Sequence, residues 1–207
     1  MMPNPWLPTW VVVVFAAVFV VIMLLHVQHV VEMGSPRRWW HGGHVLMAAA
    51  MLVMLVPIGG LPAVGPLGSS VCAAAAAGLG GSRLVLHRPA PRSLLWPLLV
   101  VDLLAMAYMF AMEAVGTAWL TLPLVAWFVL QAWGWFGGGL FPMVAALGAA
   151  DPPAARGASN TPVGQVPAVV RALPGTGDLA LRISLATMAT GMAYMLLAMQ
   201  FGMSMGA

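Results

Sequence analysis

The sequence predicts an all-α integral membrane protein, a bundle of about six transmembrane helices with both termini outside. Three observations predict it. Hydrophobic residues make up 62% of the 207-residue chain and charged residues only 6%, where soluble domains average roughly 25% charged. Mean hydropathy is +0.96, so most side chains have to face lipid or another helix. The apolar residues also fall into runs of about 20, the length that crosses a hydrocarbon core of about 30 Å.

The first run, residues 10–31, is almost unbroken. No basic stretch precedes it and it exceeds a signal-peptide core in length, so it is expected to be a retained span. The second, 44–60, carries Pro57 near its end. The third, 66–86, is the least apolar; its stretch 73–81 is nearly all alanine and glycine, which suits close helix–helix contact and predicts a place inside the bundle. The fourth and fifth runs cover 94–115 and 119–136, and the sixth covers 179–203. Residues 137–178 form the one long connection within a single transmembrane domain spanning 1–207. From 151 to 178 it is rich in Pro, Gly, Ala, Ser and Thr, the composition of a loop. The apolar piece 140–150 is too short to span.

Arginine placement predicts the orientation. Arg37 and Arg38 follow the first run, Arg83, Arg88 and Arg92 follow the third, and Arg156, Arg171 and Arg182 lie in or beside the fifth connection. The second and fourth connections carry no basic residue, so the odd connections, 137–178 included, are expected in the cytoplasm. Trp6, Trp10 and Trp119 then mark outer helix ends, and Trp39, Trp40, Trp96, Trp133 and Trp135 inner ones. The net charge of +3, with no lysine, belongs to this orientation and not to nucleic-acid binding. A lone cysteine, Cys72, excludes an internal disulfide and a CxxC site. No nucleotide-binding motif or Ser-His-Asp arrangement is present.

Ionisable residues within spans are costly and mark function. Four of the five histidines lie in the first hairpin, as His26-x-x-His29 and His41-x-x-His44. Spacing of three puts both imidazoles of a pair on one helix side, and two converging pairs offer a four-nitrogen or three-plus-one metal site. The plainer reading is histidines at headgroup level that reach water or sense pH. Methionine is the second signal, with 17 in the chain. Met188, Met192, Met195 and Met199 share one face of the sixth helix, Met47 and Met51 continue the line from His44, and Met23 precedes His26. Met106 and Met109 lie between Asp102 and Glu113 on one face of the fourth. Thioethers are soft ligands that favour Cu(I), although methionine also simply fills gaps in packing. Asp102 lies deep enough in its helix to need a partner, with the histidines, Arg182 or a cation as candidates. Met106-Ala-Tyr108-Met109 recurs as Met192-Ala-Tyr194-Met195, a short internal repeat of the kind common in transporters.

The run Met33-Gly-Ser-Pro-Arg-Arg-Trp-Trp-His-Gly-Gly-His44-Val-Leu-Met47, with His26 and His29 before it, resembles a family of multi-pass membrane proteins of high-GC Gram-positive bacteria. The resemblance extends over most of the chain, including both Met-Ala-Tyr-Met segments. It implies the bacterial plasma membrane and the same fold, and it implies no activity, cofactor or partner.

The residues point first to a copper-handling membrane protein whose ligands are His26, His29, His41 and His44 together with the methionine faces, and whose Asp102 supplies negative charge. Beyond lipid and metal, a homo-oligomer or a larger membrane complex is a possible partner. One alternative is a membrane redox protein holding haem or an iron or copper pair on the same histidines. Another is a structural subunit in which the methionines only pack.

Overall fold

A computed structural model of the protein describes residues 6–32, 37–55, 64–85, 95–115, 118–140 and 176–204, apart from the side chains of Glu113 and of some residues at helix ends. The described residues form six helices and no strand: α1 (Thr9–Glu32), α2 (Arg37–Leu55), α3 (Val64–Val85), α4 (Leu95–Val115), α5 (Ala118–Phe136) and α6 (Thr176–Ser204). Five of them, all but α2, are long and apolar enough to cross a membrane. Chain neighbours pair most extensively, α1 with α2, α3 with α4 and α5 with α6; α2 against α4 and α1 against α6 join the three hairpins. The core lies between the hairpins, where Phe19, Met51, Leu103, Met106, Phe128 and Leu196 are fully buried.

The second helix departs from expectation. It starts at Arg37 rather than near His44, so both arginines and His41 belong to the helix and not to a loop. Its 19 residues reach about 28 Å at 1.5 Å per residue, but two arginines and two histidines in its first eight residues leave it short of the apolarity of a span. Packing holds this polar half in place. Arg38 Nε donates to the Val30 carbonyl at the end of α1 at 3.0 Å. Gly43 admits Leu99 of α4 so closely that a Cβ there would lie 2.7 Å from Leu99 Cδ1.

The alanine- and glycine-rich helix is also placed differently from expectation. Only 11% of the apolar stretch of α3 is buried, so it lies on the outside of the bundle. Its inward residues are Cys72 and Ala76, and Gly68 gives way to the ring of Phe110 on α4. Side chains this small fill one shallow interface, and Gly78, Gly80 and Gly81 face open space.

The eight tryptophans expected at helix ends divide into two groups. Trp6, Trp10, Trp39, Trp119 and Trp133 are exposed, as boundary residues should be, whereas Trp40, Trp96 and Trp135, expected at inner ends, turn into the core. α5 ends in a turn over 137–140, with Gly138 at φ 77°, a left-handed conformation natural to glycine at a helix C-terminus. A Cβ at Gly138 would also meet the guanidinium of Arg182. That side chain donates from Nε to the Trp135 carbonyl (3.3 Å) and from Nη2 to the Phe136 carbonyl (2.7 Å), satisfying carbonyls that a helix end leaves unpaired. Of the long connection, 137–140 is this turn, 141–175 lies outside the described residues, and 176–178 already belongs to α6.

Candidate functional site

The first hairpin brings its four histidines together. His26 stands as many residues before Ser35 as His44 stands after it, and the same is true of His29 and His41 and of Met23 and Met47. Two antiparallel helices folded about that midpoint place such residues level with each other. The imidazoles pair accordingly: His26 stacks on His44 at 5.0 Å between centroids and 18° between planes, and His29 on His41 at 4.8 Å and 25°. His26 Nδ1 also lies 2.9 Å from His41 Nδ1. Trp40 packs against His44 at 4.2 Å and against His41 at 4.9 Å, closing the group on one side. His26, His41 and His44 are buried and His29 partly so.

Hydrogen bonds determine where the imidazole lone pairs are. His44 Nδ1 lies 2.9 Å from the Trp40 carbonyl and His29 Nδ1 lies 2.6 Å from the Leu25 carbonyl, each one turn back along its own helix. A carbonyl only accepts, so Nδ1 carries the proton in both rings and the neutral imidazole keeps its lone pair on Nε2. Metal-ligating histidines are commonly held in this way. His26 Nε2 is buried and has no hydrogen-bond partner, an exception among buried polar side-chain atoms. The rings lie face to face, however, and do not aim at one point as a four-nitrogen site requires. Among the described residues no three His, Cys, Asp or Glu side chains form a group that could hold a metal ion.

The buried carboxylate has other partners than those expected. Asp102, 6% exposed, accepts at Oδ1 from Gln131 Nε2 (2.8 Å) and Trp127 Nε1 (3.2 Å). Both donors sit one turn apart on α5. Arg182 is occupied at the end of α5, and the histidines reach Asp102 only across a small void. Met47 and His44 of α2, Asp102 of α4, Gln131 of α5, and Met188 and Met192 of α6 all line that void, which has about 10 Å³ of space. That is close to the least room a single water needs.

The remaining methionines follow the same interior. Met51, Met106, Met109 and Met195 are buried with Met47, Met188 and Met192 in one continuous core, and Met23 and Met199 pack against it half-buried. The methionine faces of α2, α4 and α6 thus turn inward together. The side chain of Glu113, the last of the sequence candidates, lies outside the described residues.

Three polar residues contribute without having been singled out: Gln131, which holds Asp102, and Thr121 and Gln200. Thr121 donates to Gln200 Oε1 at 3.0 Å and shares a bond of 2.9 Å with the Tyr108 hydroxyl, so α4, α5 and α6 are tied by one chain of hydrogen bonds. Each of the three is an isolated polar side chain in an apolar run, and that isolation was the available signal. The repeated Met-Ala-Tyr-Met segments differ in their tyrosines. Tyr108 joins this chain, whereas Tyr194 donates to the Trp6 carbonyl and stacks on Phe15 at 5.4 Å.

No family model, curated protein or solved structure matches this chain.

Proposed function

We propose that this protein binds and handles copper in the bacterial plasma membrane, receiving the ion at the imidazole group and holding it among the methionines. The observation that carries the proposal is the position of His44. Its ring stacks within the imidazole group on one side and lines the void shared with Met47, Met188 and Met192 on the other. Nitrogen and thioether donors that line one void suit a soft ion passing from one to the other. The lone pairs assigned to His29 and His44 supply the nitrogen donors, and the unpartnered His26 Nε2 lies in the same group. The haem alternative gains less support. Axial ligation by one histidine from each helix sets a porphyrin between the rings, and here the rings of opposite helices touch. Arginine placement argues for the imidazole end facing the cytoplasm, with both termini outside.

Metal content measured by mass spectrometry on the full chain in mild detergent tests this, with His26, His29, His41 and His44 all replaced by alanine for comparison. Stoichiometric copper in the wild type, lost in the variant, is the expected result. No copper above background after loading with Cu(I) under reducing conditions would overturn the proposal.

A further inference from the structure

We infer that the void between α2, α4, α5 and α6 is a site for one soft monovalent cation, Cu(I) or Ag(I), with Asp102 as its counter-charge and a capacity separate from that of the outer histidines. The inference rests on the copper-handling reading and adds the charge and hardness of the ion that the core accepts.

The ligand set decides the charge. Three thioethers (Met47, Met188, Met192) and one imidazole (His44) are neutral donors, and the one carboxylate among the lining residues belongs to Asp102. The groups that bond it, Gln131 and Trp127, are also neutral, and both bond Oδ1, so neither uses Oδ2. The arginine of α6 nearest in sequence to this level, Arg182, is bound to carbonyls of α5. An ionised carboxylate in such a place is expensive without a positive partner. A single monovalent ion makes the site neutral. A divalent ion leaves one net positive charge in a low-dielectric interior, where uncompensated charge is strongly disfavoured. The donors then decide the element: Na⁺ and K⁺ require oxygen shells that thioethers do not replace, whereas Cu(I) and Ag(I) bind sulfur and imidazole readily.

The tautomer of His44 matches this role. Its Nδ1–H is spent on the Trp40 carbonyl, which leaves Nε2 as the ligating atom. Gln131 and Trp127 act as positioning residues that orient the carboxylate. Because His44 also touches His26, an ion entering at the imidazoles passes to the thioethers without crossing an apolar gap.

Ag(I), which is redox-inert, is the probe, titrated into the purified full chain in mild detergent against a competing chelator. The combined variant Met47→Leu, Met188→Leu, Met192→Leu keeps side-chain volume and is expected to lose one equivalent of Ag(I), with the remaining uptake unchanged. Asp102→Asn keeps the hydrogen-bond acceptor and removes the charge; a tenfold or greater loss of Ag(I) affinity at this site is expected. Zn(II) is expected not to compete for the methionine-dependent equivalent. Unchanged stoichiometry in the leucine variant, or unchanged affinity in Asp102→Asn, overturns the inference. Should the leucine variant fail to fold, X-ray absorption of the Cu(I)-loaded wild type decides: sulfur in the first shell supports the site, and nitrogen and oxygen alone overturn it. The histidine reading fails separately. If His26, His29 and His41→Ala leaves all metal bound while the leucine variant loses it, the core site stands and the imidazoles are not the receiving group. If the histidines bind copper and the leucine variant behaves as wild type, only the core site falls.

Discussion

The helices at the centre of the bundle and those at its rim are built from different residues. In α4 and α6, 56% of the apolar stretch is buried; in α1 and α5 the share is 22%, and in α3 it is 11%. The central pair carries Asp102 and most of the buried methionines, whereas the rim presents Val13, Val21, Leu122, Leu130 and Trp133 outward. β-Branched and leucine side chains are interchangeable against lipid. An unbranched, polarizable side chain fits an irregular interior. The contrast separates residues that meet hydrocarbon from residues that meet the interior of the bundle, which overall hydrophobicity does not do.

The largest effect that sharpens this contrast is truncation. Met192→Ala in the centre is expected to cost about 2–5 kcal/mol, and Leu130→Ala on the rim within about 0.5 kcal/mol, both read from unfolding in detergent. Equal losses would remove the distinction. Glycine substitutions are expected to differ in sign. At Gly191 of α6 a Cβ would lie 2.7 Å from the Phe19 ring of α1, so Gly191→Val is expected to destabilise by about 1–3 kcal/mol through overpacking. Gly78 of α3 has nothing within 4 Å, and Gly78→Ala is expected to raise stability by up to about 1 kcal/mol through helix propensity. A melting temperature that moved the same way in both would count against the outward placement of α3. A smaller effect than the truncation concerns the tie between α4, α5 and α6. Thr121→Val removes the shared bonds to Tyr108 and Gln200 and is expected to cost about 0.5–1.5 kcal/mol, the net worth of a typical hydrogen bond. No measurable loss would show that the chain of bonds adds nothing to packing.

The spans were legible because hydropathy and length report directly on lipid. α2 was harder to delimit: its polar first half is helical because it packs on α1 and α4, a tertiary cause that no local window contains. Small residues in α3 suggested burial, but size alone does not say whether close packing is used on one face or on all. The inward methionines could be read from their helical spacing. The partners of Asp102 could not, since Gln131 and Trp127 are 29 and 25 residues away in sequence on a helix that is not its main packing neighbour. The stacking of His26 on His44 and of His29 on His41 is encoded in their equal distances from Ser35.

That mirror arrangement has a consequence for how the gene can change. Every helical codon between the two histidine pairs, 30–32 in α1 and 37–40 in α2, counts toward the level at which one helix meets the other. One codon gained or lost there advances α2 by 1.5 Å and turns it by about 100°, moving His41, His44 and Met47 together off the faces they share with α1. A base substitution in the same stretch alters a single side chain, whereas a change of length dismantles the imidazole group, the void and the contact between them at one stroke.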